Sequence, residues 1–491
     1  MNYIVSIDQS TAGTKALLIN PDGEIIQTLS QTHAQYYPHK NWIEHNGEEI
    51  WKNVCALISR LIFNNKLSTE DIDSIAISNQ RETTIVWDRA TGEPVCNAVV
   101  WQCQRGASIC RELSGYKELV KERTGLILSP YYPAAKLAWI LRNIPGVMER
   151  ANEGELCFGT IDSYLVYRLT KGARHVTDLS NASRTQLFNL KSLKWDEELL
   201  KIFGIPRSMM PEVISSDGDF GIVDGSTGFG GIPISSAMGD SHAALFGHRC
   251  TEKGMAKVTY GTGSSIMCNI GEQYTAPPEG LSLSLAWGRG KQVQYVFEGN
   301  ITCAGDTLKW LINELQLVKD EQEIENLASM VENAGGVYLI PAFSGLGAPY
   351  FDTEVRASIV GISRSSNKTH IVRAALESLA YQVNDVVDIM RKECDITHLY
   401  ASGGATVNAL LMQLQADYLG SSILVTREKE LSALGAAYMG GLKTGFFKRI
   451  PQDKALTIYK GNKTSDRIKE VNGWKQAVSQ SLTSSREKVK Y

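Results

Sequence analysis

No stretch of this chain stays apolar for the ~18 residues that a membrane-spanning helix needs. Its first ten residues, MNYIVSIDQS, carry neither the basic n-region nor the apolar h-region of a secretion signal. Charge bias is missing as well: 50 Lys and Arg meet 53 Asp and Glu, a net charge of −3, so no global field draws nucleic acid or an anionic membrane. Cysteine chemistry is equally thin. The nine cysteines are odd in number and scattered, Cys103 and Cys110 form no CxxC, and no Cys/His set has zinc spacing. A reducing, cytoplasmic compartment is the expectation.

At 491 residues the chain is too long for one compact core, so two or more domains are expected. With 43% hydrophobic and 21% charged residues it has ordinary globular composition. The N-terminal residues read as a three-stranded meander: YIVSID, then KALLIN, then EIIQTLS after the turn PDG. Helical periodicity follows at 47–64 and 134–143. Between them IDSIAISNQ reads as a buried strand ending in the polar cluster NQRETT, the place where open α/β sheets bind ligands. Midway, GMAKVTYGTGSSIMCNIGE (254–272) repeats the order strand, hydroxyl-rich turn, strand. Two similar lobes, 1–246 and 247–491, account for that repetition. The second half adds helices at about 305–333 and 367–393 and one from 408. After about 455 comes a charged, Ser/Thr/Lys-rich tail, read as a final helix at 465–482 with a loose end.

Five segments carry possible chemistry, and each has an ordinary structural explanation beside it. In IDQSTAGTKALLI (7–19) a carboxylate, three hydroxyls, a glycine and a lysine share one tight turn. Backbone N–H groups there can cradle an anion, with Lys15 as a point charge. Asp8 would then need a divalent cation between itself and a phosphate. A polar surface hairpin is the plain alternative, and no GxxxxGK[ST] loop occurs nearby. YGTGSS (260–265) is a second such turn; two facing each other would clamp a polyphosphate. In MGDSHAALFG (238–247), Asp240 is either a helix N-cap or a general base, with His242 as a rival base or a structural histidine. Arg81 and Glu82 are either a strand-end ion pair or a fork for a polyhydroxy substrate. YASGGATVNALLMQ (400–413) is either a helix-capping turn or a place where a flat ring or anion approaches backbone.

Order and combined extent separate these alternatives. The chain resembles the FGGY family of carbohydrate kinases through IDQSTAGTKALLIN, NQRETTIVWDRATGEPVCNAVVWQCQR, FGTIDSYLVYRLT, HVTDLSNASRTQLFN and GMAKVTYGTG. YYPAAKLAWILRN and PAFSGLGAPYFDTEVRASIVGISRS resemble the two family signatures, and SGGATVNALLMQLQAD and LSALGAAYMGG the adenosine-side segments. The resemblance implies an α/β fold of two ribonuclease-H-like, actin-like lobes with ATP and Mg²⁺ in the cleft. It implies that Asp240 is the catalytic base and Asp8 the metal-associated aspartate, with Asp240 also beside the metal. It places Thr11 and Lys15 in the first phosphate turn, Gly261 and Thr262 in the second, and Gly305, Lys309, Gly404 and Asn408 at the nucleotide. It places Arg81, Glu82, Trp101 and Tyr131 on the substrate, joined by Asp240, Ser241 and Ser265.

The departures from the pattern lie mostly at the substrate. Members that act on glycerol usually read DQGT, GDQQ and an aromatic after GTGC; this chain has DQST, GDSH and GTGSS. Ser241 and Ser265 therefore replace larger groups with small hydroxyls. A wall that offers an extra hydrogen bond favours a substrate with an extra hydroxyl, so a four- or five-carbon polyol or ketose is expected, with glycerol as the alternative. The segment 212–239 holds no histidine, which leaves a loop phosphohistidine control without an acceptor. A small-molecule substrate, with neither nucleic acid nor membrane as partner, is expected, and a homodimer is the oligomer considered. A non-catalytic actin-like ATPase or sugar sensor is the rival class.

Overall fold

β1 (Tyr3–Gln9), β2 (Gly13–Ile19) and β3 (Ile25–Thr32) form the expected meander in the computed structural model. The structure describes residues 2–487 apart from 397, 454, 455 and 463. Helix α1 (Gly47–Asn64) starts where Asn46 accepts the Glu49 N–H at 3.1 Å. It buries Ile50, Val54, Leu57, Ile58 and Leu61, a stripe at helical spacing, against β2 and β3. β4 (Ile72–Asn79) then pairs parallel to β1. After α2 (Pro133–Asn143), β5 (Ile234–Gly239) adds a second parallel neighbour and leads directly into α3 (Asp240–Gly247). The sheet order is β5-β4-β1-β2-β3.

The second half repeats this scheme. β6 (Met255–Tyr260) and β7 (Ser264–Gly271) are the antiparallel hairpin, and β8 (Ser282–Arg289) and β9 (Gln292–Ile301) extend it. After α4 (Gly305–Asn313), α5 (Glu321–Ala328) and α6 (Lys368–Met390), β10 (His398–Ser402) joins β6 in parallel. α7 (Ala409–Leu419) leads to β11 (Ile423–Thr426), parallel to β10; α8 (Leu431–Thr444) and edge strand β12 (Leu456–Tyr459) follow. The order is β8-β9-β7-β6-β10-β11-β12. Each sheet thus has an antiparallel hairpin on one side of its first strand and two parallel strands on the other. The two-lobed fold expected from the sequence is present.

Two expectations need adjustment. The helix expected over 305–333 is two, because Gln316 takes a left-handed φ of 52° and Asp320 caps a new start by accepting the Glu323 N–H at 2.8 Å. The final helix, α9, runs Ser465–Glu487, beyond the expected 482; the expected loose end past 487 lies outside the described residues.

α8 falls between β11 and β12 of the second sheet in sequence yet lies against β1, β4, β5 and α3. Small residues allow that approach. A Cβ on Gly435 would stand 1.8 Å from the Ala243 carbonyl oxygen, and one on Gly247 would stand 2.3 Å from that of Leu431. One apolar cluster therefore joins Ile4, Leu17 and Met238 of the first lobe to Met267 and Val296 of the second through Ala436 and Tyr438. No helix among the described residues is long and apolar enough to cross a membrane.

Candidate active site

The opening turn is held by the serine that made it unusual. Ser10 donates both its N–H and its hydroxyl to the Gly13 carbonyl, at 2.8 and 3.0 Å. Thr11 faces two ways: its hydroxyl accepts from the Trp101 indole at 2.9 Å and its carbonyl accepts from Gln35 at 2.6 Å. Asp8 sits opposite Lys15 across the hairpin and accepts from the Ser78 hydroxyl at 3.0 Å. Burial, with the neighbouring Asp240 carboxylate, pushes the Asp8 carboxyl up to about 7. Lys15 is not idle. Its ammonium lies 2.8 Å from both oxygens of Glu430, the residue before α8.

The second turn is tied to a helix start. Gly261 and Thr262 offer their carbonyls to the N–H groups of Gly305 at 2.9 Å and of Ala304 and Asp306 at 2.8 and 3.1 Å. A Cβ on Gly305 would stand 2.6 Å from the Gly261 oxygen, so only glycine lets α4 approach this closely. Lys309, one turn further along α4, is exposed. Across the sheet, Gly403 has φ of 100° and its Cβ position falls 2.2 Å from the Tyr260 oxygen, whereas Gly404 faces open space. Asn408 does what a plain capping turn requires: it accepts the Leu411 N–H at 2.8 Å.

Between the two turns runs a chain of alternating charges. Arg81 and Glu82, neighbours in sequence, do not pair with each other. Arg81 donates from Nη2 to Glu298 at 2.8 Å and holds its Nε 3.3 Å from Asp240. Glu82 accepts from Arg184 Nε at 2.6 Å, and Arg184 Nη1 lies 2.6 Å from the second oxygen of Glu298, outside hydrogen-bonding angles. The order is Asp240, Arg81, Glu298, Arg184, Glu82, three carboxylates alternating with two guanidiniums. All are buried except Asp240, whose side chain is 34% exposed. The Arg184 and Arg81 guanidiniums hold the Glu298 carboxyl far below its usual range despite its burial. Arg81 Nη1 is buried and without a partner, a donor left over for something else. Glu82 reaches its place with a left-handed φ of 60°, a cost that a non-glycine residue bears at few places.

Trp101 and Tyr131 form the adjoining wall, their rings edge to face with centroids 5.4 Å apart. Burial, then the Glu82 charge, raises the Tyr131 phenol well above its ordinary value, so it stays protonated. The loop carrying Tyr131 is pinned by Lys136, a fully buried residue of α2. Its ammonium donates to the carbonyls of Pro130 at 2.7 Å, of Tyr131, and of Tyr132 at 3.3 Å. The hydroxyls of Ser264 and Ser265, neighbours on β7 and therefore on opposite faces of the strand, are buried and lack partners.

Asp240 is not the N-cap of α3; Gly239 holds that position, and Asp240 Oδ1 accepts the Ser241 N–H at 2.5 Å. A Cβ on Gly239 would stand 2.7 Å from Arg81 Cγ, so this glycine makes room for the guanidinium. His242 is fully buried, its Nε2 is 3.0 Å from Ser284 Oγ, its Nδ1 lacks a partner, and burial with Arg81 nearby keeps it neutral. Glu298, Arg184 and Lys257 were not singled out by the sequence. Lys257 is buried on β6 with its ammonium 3.2 Å from Thr259 Oγ1, and burial lowers it to about 8. Glu298 and Lys257 offered one signal, a single charge inside an apolar strand, as in YVFEGN and MAKVTY; Arg184, in SNASRTQ, offered none.

Residues 3–247 match the N-terminal domain of the FGGY family of carbohydrate kinases, and residues 256–443 match its C-terminal domain. This chain belongs to the FGGY family of carbohydrate kinases. Among its relatives, glycerol kinase 1 of Thermotoga maritima is 46% identical over 492 residues, covering 98% of this chain and 100% of that protein. The glycerol kinase of Carboxydothermus hydrogenoformans is also 46% identical, over 97% of each. The crystal structure of Plasmodium falciparum glycerol kinase with ADP superposes with a TM-score of 0.93 at 34% identity, over 98% of both chains. A ligand-bound xylulose kinase from Lactobacillus acidophilus shares the fold, with a TM-score of 0.87 at 21% identity, over 100% of this chain and 99% of that one.

Proposed function

We propose that this FGGY kinase transfers the γ-phosphoryl group of ATP to a terminal hydroxyl of glycerol. What carries the choice of glycerol is that relatives 43–46% identical over nearly the whole chain are named glycerol kinases. They move the substrate toward three carbons and put the four- or five-carbon expectation second. Residues 1–246 supply the polyol site and the first phosphate turn; residues 247–491 supply the second turn and the adenosine side.

The residues present fit a Mg²⁺ ion. Burial and the nearby Asp240 carboxylate disfavour charge on Asp8, a conflict that a divalent cation relieves. Among the described residues no group of three His, Cys, Asp or Glu forms a cage, and Mg²⁺ needs only one or two carboxylates beside phosphate oxygens and water. Asp8, with Asp240 beside it, would hold the ion. When bound, Mg²⁺ neutralises charge on the phosphates.

The chain's own residues do the rest. Thr11, Lys15, Gly261 and Thr262 hold the phosphates, and Gly305, Lys309, Gly404 and Asn408 the nucleoside end. Arg81 donates from its spare Nη1 to a substrate hydroxyl and Glu82 accepts from one, while Trp101 and Tyr131 cover the carbon side. Asp240 takes or orients the proton of the attacking hydroxyl. Phosphoryl transfer asks little more than positioning and electrostatics from a protein, and closure of the lobes excludes water.

A second reading, a four- or five-carbon polyol or ketose, is favoured by the unpartnered Ser265 hydroxyl, which can meet a further substrate oxygen. ADP release measured with glycerol, erythritol, xylulose and ribulose decides. The highest kcat/KM is expected for glycerol; a far higher value for a longer substrate reverses the order. ADP release indifferent to all four points to a non-catalytic relative's ATPase instead.

A further inference from the structure

We propose that Glu298 is a positioning residue: from the second lobe it sets Arg81, and through Arg184 it sets Glu82, for the polyol. This rests on the proposed function, which places the polyol at that pair.

Glu298 lies on β9, directly after the buried Phe297 and opposite Met267 and Ser282. A carboxylate 1% exposed in such a strand is costly unless it is paired. Lys257 stands in the same cross-strand row, beyond Met267, but its ammonium contacts Thr259. The partners of Glu298 come instead from the first lobe: Arg81 follows β4, and Arg184 follows the short helix Leu179–Ala182.

The geometry gives Glu298 more to do than neutralise two cations. Arg81 divides its donors unequally, with Nη2 at 2.8 Å from Glu298 and Nε at 3.3 Å from Asp240. The shorter contact is the one made across the lobes, so Glu298 fixes the plane of the guanidinium. That leaves Nη1 free and Asp240 only loosely held. On its other oxygen Glu298 makes an ion-pair contact with Arg184, whose Nε in turn holds Glu82 at 2.6 Å. One carboxylate thereby orders both halves of the polyol fork.

Two variants separate positioning from charge balance. Glu298→Gln removes the charge; Glu298→Asp keeps it and withdraws it by one methylene. Positioning predicts that Glu298→Gln raises the glycerol KM about ten- to a hundredfold, the worth of a charge-assisted hydrogen bond. It predicts that Glu298→Asp raises it roughly tenfold, while the ATP KM stays within about twofold in both. If Glu298→Asp has the wild-type glycerol KM and kcat, Glu298 only balances charge and the proposal fails. It fails too if the ATP KM rises in step, or if neither variant folds by circular dichroism and thermal melting. If Glu298→Gln alone is unfolded, Glu298→Asp decides. Wild-type enzyme is assayed first on the polyol panel: no polyol-dependent turnover there refutes the proposed function, and a normal wild type with unaffected variants refutes only this role of Glu298.

Discussion

At Asp240 a carboxylate sits on the first residue of α3, held by one N–H and loosely by Arg81, with its other oxygen free of any hydrogen bond shown here. Removing its charge while keeping its shape tests the base assignment. Asp240→Asn is expected to lower kcat by ~10²–10⁴ and leave the ATP KM unchanged; steady-state kinetics in ATP and glycerol check both. Lys136 calls for a different readout. Its ammonium satisfies three carbonyls around Tyr131, so Lys136→Met frees that loop. The glycerol KM is expected to rise about tenfold, and the melting temperature to fall as buried carbonyls lose their donor. An unchanged glycerol KM contradicts a role for this lysine in holding Tyr131.

Among the elements, α3 and α8 cross in close contact. Gly435→Ala puts a methyl group 1.8 Å from a backbone oxygen, so one helix has to move. Destabilisation of roughly 1–3 kcal/mol follows from overpacking, and it is measured as a lowered midpoint in urea. A second test concerns α6 and α9, where Asp385 accepts from Trp474 Nε1 at 2.7 Å and from the Tyr350 hydroxyl at 2.8 Å. Burial lifts its carboxyl from 3.8 to about 6. Between those values the native state holds a proton that the unfolded chain has released, so this group's contribution to stability falls as pH rises from about 4 to 6. Asp385→Asn cannot titrate. Its melting temperature relative to wild type is therefore expected to climb across that window and to level off above it.

For the whole molecule, the sequence showed what depends on near neighbours. The meander, the 47–64 helix and both hydroxyl turns follow from periodicity and turn chemistry, and they came out within a residue or two. Three things could not be read that way. The break after α4 depends on a left-handed Gln316, for which a non-glycine residue gives no warning. α8 reads as an ordinary small-residue helix, and nothing local says that it crosses to the first lobe. Arg81 and Glu298 stand 217 positions apart, so the charge chain exists only once both sheets have formed. That distance also explains why Arg81 and Glu82 looked like partners: adjacency in sequence was the only relation visible. Ser241 and Ser265 show the same limit: the resemblance puts small hydroxyls where relatives carry larger groups, and a hydroxyl does not name the molecule it meets.

The most direct measurement follows phosphate from [γ-³²P]ATP into product with glycerol and longer polyols or ketoses, using wild type and Asp240→Asn side by side. Labelled phosphate is expected on glycerol with wild type and to be nearly absent with the variant. Label on no polyol or ketose, or equal labelling by both proteins, would contradict a kinase whose chemistry runs through Asp240.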